Sequence, residues 1–299
     1  MEKKLILPEV LAPAGNPEKL RAAVRFGADA VYLAGRRFGM RQASENFSLE
    51  ELAEAAEYLH SRGKKMYLTV NILPHGPEYP ALREFIRECA KIDIDGYIVA
   101  DLGVIAMIKE INPNAAIHIS TQASIVSPEA ALQYIKLGAT RLVLARELSL
   151  KEVRAIRDRI PDEIELEAFV HGSMCVSYSG RCMLSDFMVN RSANHGACAQ
   201  PCRWNYRLVE EKRPGQYFPV GEDEGGTYIL NSKDMCMIEH IPEMIDAGIT
   251  SFKIEGRAAH LLNVMESYMY YLVKPERRDE IRLIYLLSLQ QSKIIQIDE

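Results

Sequence analysis

Four cysteines, Cys175, Cys182, Cys198 and Cys202, fall within twenty-eight residues of a 299-residue chain that holds six in all. A uniform scatter would put roughly half of one in such a window, so the clustering asks for a chemical reason. Thiolates are soft ligands that suit an iron-sulfur cluster or zinc, and no carboxylate-rich pattern for a hard metal competes nearby. The intervals of six, fifteen and three residues lack the two-residue knuckles usual in structural zinc sites. That favours iron and sulfur and leaves zinc as the rival ion. Ordinary core thiols or a disulfide pair remain the plainer reading, since buried free cysteines are common. Arg181, Arg191, Arg203 and Arg207 lie among or just after the cysteines. There they would lower thiolate pKa values, offset cluster charge or meet phosphate, or simply form a solvated surface. Trp204, beside Arg203, offers either a stacking face for a base or a side chain to bury.

Something must position these groups, and the composition describes a soluble globular scaffold: 48% apolar residues, 26% charged, ordinary glycine and proline. The first residues hold no apolar core of signal-peptide length, and no run approaches a membrane span. A cytoplasmic setting is the expectation, where thiols stay reduced and clustered cysteines point to metal or redox chemistry. A net charge of -5 argues against a surface that coats nucleic acid throughout, while permitting a local basic patch.

Short apolar strands alternate with amphipathic helices about every thirty residues, the pattern of repeated β-α units around a parallel sheet. The strand candidates are Val10 to Ala14, Ala30 to Ala34, Lys65 to Leu73, Gly96 to Asp101, Ala116 to Gln122, Arg141 to Arg146, Ile164 to His171 and Ser251 to Glu255. Eight is the count of a closed (β/α)8 barrel, although an open doubly wound sheet gives similar local signals. Ser48 with Glu51 and Ser149 with Glu152 predict capping boxes, and Asn16-Pro17 predicts a capped first turn. Three helix-to-strand joins carry glycine, at Gly27, Gly138 and Gly248. The alternation breaks between Cys175 and Tyr228, read as a cysteine-rich insertion over 175–228. Within it, Leu208-Val209-Glu210 and Thr227 to Leu230, flanking the acidic Gly221 to Gly226, are expected to form a small hairpin.

In a barrel, chemistry belongs at the C-terminal ends of the strands. Asn71, Asp101, Gln122, Arg146, Glu147, Glu167, His171, Lys253, Glu255 and Arg257 are read as lying at or just past such ends. Glu167, His171, Lys253 and Glu255 are the catalytic candidates, and Asn71, Gln122, Arg146 and Arg257 the substrate-binding ones. Each has a structural alternative, because a polar residue is also how a strand stops. Glu9 is expected to pair with a basic residue inside the barrel, and His118 to be a satisfied core group.

The nineteen residues from Glu167 to Ser185 resemble the signature of peptidase family thirty-two, U32, the collagenase-like group of unassigned mechanism. The segments Pro8 to Gly15, Gly27 to Tyr32, Ser120 to Gln122 with Arg146-Glu147, Cys198 to Trp204, Asn231 to Cys236 and Phe252 to Arg257 extend the resemblance over about residues 8 to 268. It implies a TIM-barrel-like fold and a [4Fe-4S] cluster held by Cys175, Cys182, Cys198 and Cys202, with Cys236 in reserve. Some members are called proteases or collagenases. Others take part in oxygen-independent hydroxylation of RNA bases or of a ubiquinone precursor, with prephenate as implied oxygen donor. This chain looks most like the branch that forms 5-hydroxyuridine at the tRNA wobble position. That branch implies tRNA or another RNA as partner, a possible second family member as hetero-oligomer partner, and no DNA or membrane. Arg181, Arg203 and Trp204 become RNA-contact candidates. A dicarboxylate such as prephenate would need cations at the mouth, for which Arg146, Lys253 and Arg257 have the chemistry.

A peptidase would need a nucleophile with a base, a paired-carboxylate site or a zinc-activated water, and none is convincing here. The chain has no His-Glu-x-x-His and no Gly-x-Ser-x-Gly, and Cys175 with His171 would leave the other cysteines unexplained. A non-catalytic subunit that holds a cluster and binds RNA or a partner is the third class. The barrel is expected to occupy 1–272, with 273–299 an atypical tail in place of the family's C-terminal β domain.

Overall fold

The structure, a computed structural model, describes residues 8–40, 46–172, 175, 177–204, 221–223, 226–228 and 235–255. Strand β1 (Glu9–Pro13) leads through α1 (Pro17–Arg25) to β2 (Ala30–Ala34). The alternation continues with α2 (Leu49–His60), β3 (Lys65–Val70), α3 (Tyr79–Cys89), β4 (Gly96–Val99), α4 (Leu102–Ile111), β5 (Ile117–Ile119), α5 (Pro128–Lys136), β6 (Ala139–Val143), α6 (Leu150–Arg157) and β7 (Glu165–Gly172). After these come α7 (Leu184–Val189), the short strands β8 (Gly221–Asp223), β9 (Gly226–Tyr228) and β10 (Met235–Cys236), then α8 (Ile241–Asp246) and β11 (Ser251–Ile254).

Strands β1 to β7 and β11 pair in parallel all the way round, with β11 joining β7 to β1, so the sheet closes into an eight-stranded barrel. The capping chemistry is where the sequence puts it. Ser48 and Ser149 form complete capping boxes with Glu51 and Glu152, and Asn16 accepts from the Lys19 amide ahead of Pro17. Gly27, Gly138 and Gly248 take φ of 96°, 90° and 94°, the left-handed turn that lets each helix drop into the next strand. Outward strand residues such as Val10, Val31, Leu68, Val99 and Leu142 bury against the helix ring. Each fully buried side chain of this size contributes about 1.5–3 kcal/mol. Among the described residues no helix is long and apolar enough to cross a membrane.

The barrel interior is partly polar. Leu11, Ala30, Tyr67 and Ile98 form a small inner apolar cluster, and beside it Arg141, 1% exposed, reaches three carboxylates. Its guanidinium lies 2.7 Å from Glu9, 2.7 Å from Glu165 and 3.1 Å from Glu167, and it donates to the Tyr67 hydroxyl at 3.2 Å. Tyr67 in turn donates to Glu9 at 2.7 Å. Burial pushes the Glu9 carboxyl up, but the Arg141 charge and hydrogen bonds from Arg141, Tyr67 and Ser251 outweigh it and hold the group below its ordinary value. The basic partner expected for Glu9 is therefore Arg141, 132 residues away. His118 is buried edge-on against Tyr67, with ring centroids 4.6 Å apart. Burial, then the charges of Arg141, Lys253 and Lys65, keep it neutral. Its Nδ1 has no hydrogen-bond partner, so it is a core group but not a fully satisfied one.

Three expectations change. Glu167 is not at a strand end: β7 runs on to Gly172, and Glu167, 0% exposed, faces the interior between two cations. Lys253, by contrast, is one residue from the end of β11, as expected, and is buried. The strand expected over Ala116 to Gln122 stops at Ile119, because Thr121–Ala123 turns into a 3-10 helix whose Thr121 hydroxyl donates to the Leu144 carbonyl. One expected arm does contribute Thr227 and Tyr228 to a hairpin, but β9 pairs them with β8 from within the acidic, glycine-rich stretch. The other expected arm, Leu208 to Glu210, lies outside the described residues, as do Arg207, Arg257 and the tail 273–299.

Candidate active site at the barrel mouth

Lys253 forms the floor. Its ammonium lies 2.7 Å from Glu167, 4.4 Å from the Tyr32 ring centroid and 5.6 Å from that of Phe169. Burial pulls the amine below the ordinary lysine value, against the opposing pull of Glu167. Arg146 stacks its guanidinium 4.1 Å over the same Phe169 ring and pairs with Glu255 at 2.5 Å. Two cations thus share one aromatic ring, each beside one carboxylate.

The far half of β7 makes this possible. Its last residues run past β6 and pair antiparallel with β10, setting Cys236 opposite His171 and Met235 opposite Gly172. The Glu255 amide donates to the His171 carbonyl at 2.8 Å. Gly172 has φ 116°, and a Cβ built there would sit 1.9 Å from the Glu255 carbonyl oxygen. Only glycine lets the two chain segments approach so closely, and this approach is what places Glu255 against Arg146. His171 is half-buried on the same edge.

The other predicted ligand-binding polar groups are tied to one another. The Asn71 amide donates to Gln122 Oε1 at 2.7 Å, Gln122 Nε2 donates to the Asn71 carbonyl at 2.8 Å, and the Ser120 hydroxyl donates to Gln122 at 2.9 Å. Asn71 Oδ1 also accepts from the Met40 amide. This clasp joins the loops after β2, β3 and β5. Asp101 caps α4 through the Val104 amide and accepts from the Tyr79 hydroxyl at 2.6 Å, so it has structural work. Burial and then that bond push the Tyr79 phenol up to about 12.

Over this mouth lie the described residues 177–204 of the cysteine-bearing stretch that follows β7. The Ser124 hydroxyl reaches the Ser179 carbonyl at 3.4 Å, and Gly180, φ 74°, sits on Gln122 with room for no more than a strained Cβ. On the opposite side the Leu73 amide donates to the Asn194 carbonyl at 3.3 Å. The rings of His75 and His195 meet edge to face at 4.3 Å, and His195 lies 3.6 Å from Glu78. Helix α7 packs on the short turns Ala193–His195 and Pro201–Arg203, and the buried Ser185 hydroxyl accepts from the Ala199 amide. The segment is therefore seated on the loops after β3 and β5. Nothing in the sequence singled out the His75–His195–Glu78 contact, because its members come from chain stretches over a hundred residues apart.

No disulfide joins any of the six cysteines. Cys89 is the core thiol of the plain reading: it is buried in α3, and burial pushes it up to about 12. The others differ. Cys175, Cys198 and Cys236 are exposed, Cys182 and Cys202 half-buried, and Cys198 Sγ already accepts the Gln200 amide at 3.4 Å. Reduced, accessible thiols with a backbone N–H to sulfur are the donor chemistry of a thiolate-ligated cluster. Among the described residues, no three His, Cys, Asp or Glu side chains converge as a metal-holding group. The donor set fits a cluster in its chemistry, without being gathered into a shell. An adjoining cavity of about 60 Å³, lined by Leu144, Leu148, Met237 and Met244 and sharing Arg146 and Phe169 with the site, is too small for a nucleotide, since ligand pockets run to several hundred Å³.

A profile of peptidase family U32 matches residues 15–276. The tRNA hydroxylation protein P1 of Bacillus subtilis is 42% identical over 250 residues, covering 84% of this chain and 58% of its own length. The 23S rRNA 5-hydroxycytidine C2501 synthase of Escherichia coli is 36% identical over 279 residues, covering 92% and 41% respectively. The chain thus spans about half the length of these relatives. Among solved structures, the U32 peptidase Mk0906 superposes with a TM-score of 0.55 at 18% identity, covering 86% of this chain and 97% of that one, a likeness of fold.

Proposed function

The chain belongs to peptidase family U32, and from that premise we propose that it hydroxylates an RNA base at the barrel mouth. Cys175, Cys182, Cys198 and Cys202 would hold a [4Fe-4S] cluster, with Cys236 the substitute ligand. The observation that carries the reading is the seating of the cysteine segment on the loops after β3 and β5, the end of a barrel where chemistry is done. Relatives named for tRNA and rRNA hydroxylation support RNA as substrate. Within that class we assign the wobble uridine of tRNA and its conversion to 5-hydroxyuridine.

Replacing C–H by C–OH oxidises the base by two electrons, so an oxygen donor must be reduced by two. Prephenate is our assigned donor: its ring C–OH bond breaks as the C–OH bond of the base forms, hydrogen taking the hydroxyl's place on the donor, and the cluster, when bound, would supply the single-electron steps. The chain's own residues supply the grip. A carboxylate entering the mouth competes with Glu255 for Arg146, whose stacking on Phe169 already fixes the guanidinium plane. Lys253 adds a second positive charge beneath it. The Asn71–Gln122–Ser120 clasp holds the rim, and His171 stands beside Cys236 for proton transfer.

The test is anaerobic incubation of the chain with unmodified tRNA and prephenate, followed by nucleoside mass analysis. A uridine heavier by one oxygen, lost on omitting prephenate, is the expected result. Peptide hydrolysis without modified nucleoside would replace this reading with the peptidase one. Turnover only after adding a second family member would make the chain a subunit and not the enzyme.

A further inference from the structure

Seven of the eight large apolar side chains that the described residues expose belong to the C-terminal face of the barrel. Leu102 and Val126 follow β4 and β5, and Tyr178, Met183, Phe187, Met188 and Trp204 all lie in the cysteine segment. Phe187 is 86% exposed on α7. Helix α7 packs on the turn Pro201–Arg203 that Trp204 closes. Exposed aromatic residues concentrated on one face mark a surface that something covers.

Charge says what kind of partner. Residues 175–204 contain three arginines and one acidic residue, Asp186, in a chain of net charge -5. On the helix ring, several arginines pair with carboxylates, as in Arg83–Glu110, Arg87–Glu84, Arg154–Asp158 and Arg159–Glu129. Arg181 and Arg191 are exposed, and among the described residues neither is paired with an acid. Guanidinium groups without an acidic partner, Arg191 held by its Nε on the Ala197 carbonyl at 3.0 Å, interleaved with aromatic faces match a flexible polyanion with flat, apolar rings along it. They match an acidic protein surface less well, since that would not use the rings.

We propose that this surface, with Tyr178, Phe187 and Trp204 as stacking faces and Arg181 and Arg191 as phosphate contacts, receives the unpaired loop of the RNA and presents one base to the mouth. The proposal rests on the RNA-hydroxylation reading and deepens it. A base cannot be reached while stacked in its own strand, so the protein must offer its flanking neighbours another place to stack. The patch is continuous with the segment seated on the mouth, where the extruded base would arrive.

Trp204 is the chain's one tryptophan, so its emission reports on this surface alone. The experiment titrates the anaerobically purified chain with a labelled RNA stem-loop carrying a uridine-containing loop, and with a fully paired RNA duplex of equal length. Label anisotropy and Trp204 emission are read in the same titration. The expected result is saturable binding of the stem-loop with quenching of Trp204, weaker binding of the duplex, and a loss of at least about fivefold in affinity in Phe187→Ala, in line with one stacking contact. Phe187 is so exposed that its truncation leaves the fold intact, which thermal unfolding checks. Stem-loop binding with unchanged Trp204 emission and unchanged affinity in Phe187→Ala would overturn the surface while leaving the RNA reading standing. Absence of any RNA binding at low salt would overturn both. A change of oligomeric state in Phe187→Asp without any effect on RNA affinity would reassign the surface to a protein partner.

Discussion

Glu167→Gln is expected to destabilise the barrel by about 3–5 kcal/mol at neutral pH, the cost of breaking a buried ion pair by removing one member. Glu167 has no exposed surface and bridges Arg141 at 3.1 Å and Lys253 at 2.7 Å. Arg141 keeps Glu9 and Glu165, so the loss falls on Lys253. That amine can respond by giving up its proton. From an ordinary value of about 10.4, neutralisation at pH 7 costs at most about 4.6 kcal/mol, and at pH 9.5 about 1.2 kcal/mol. In the variant the folded lysine binds fewer protons than the unfolded one over this range, so stability must rise with pH. Urea unfolding of wild type and variant, followed by circular dichroism under reducing conditions, measures the deficit. It should shrink from about 3–5 kcal/mol at pH 7 to about 1–2 kcal/mol at pH 9.5, and Glu167→Gln/Lys253→Met should regain most of it, since apolar groups replace buried pairs at little cost. A deficit below about 1 kcal/mol, or one independent of pH, would refute the assignment of Lys253 as a buried, carboxylate-dependent cation.

Further outcomes follow from other contacts. Because Glu9 titrates below its ordinary value in the fold, its contribution is present at neutral pH and is lost as pH falls through the carboxylate range. Acid unfolding of Glu9→Gln should therefore begin from lower stability and show a flatter acid limb than wild type. Gly172→Ala places a methyl group 1.9 Å from the Glu255 carbonyl; a loss of about 2–4 kcal/mol in thermal unfolding and of activity together is expected, and near-neutral behaviour would show that the β7 end yields easily. Arg146→Lys keeps the charge but loses the stacked, forked guanidinium. The KM for the carboxylate co-substrate should rise about tenfold or more, with kcat changed less.

The barrel was legible because it rests on local signals. Capping boxes at Ser48 and Ser149, and glycines at the three joins, act within a few residues and appear in the structure as read. Glu9 was assignable to an interior ion pair because a carboxylate at the start of an apolar strand has few other uses, yet the partner, Arg141, could not be chosen without register. Glu167 was misplaced although the strand read to His171 already enclosed it, because a buried carboxylate looks like a strand end until register supplies its partners Arg141 and Lys253. Among the cysteines, Cys89 is the buried thiol among apolar neighbours, while the four clustered ones are exposed or half-buried. The His75–His195–Glu78 contact and the Tyr32–Phe169 surround of Lys253 join distant strands and loops, so no spacing within the chain announces them.

The central claim is that the cysteine segment holds an iron-sulfur cluster over the mouth. Anaerobic purification with iron, sulfide and zinc analysis of wild type, Cys175→Ala, Cys202→Ala and Cys236→Ala tests it without relying on activity. About four irons and four sulfides per wild-type chain are expected, retained in Cys236→Ala and lost in the other two. Stoichiometric zinc, a stably folded metal-free chain, or iron unchanged by Cys175→Ala and Cys202→Ala would contradict it.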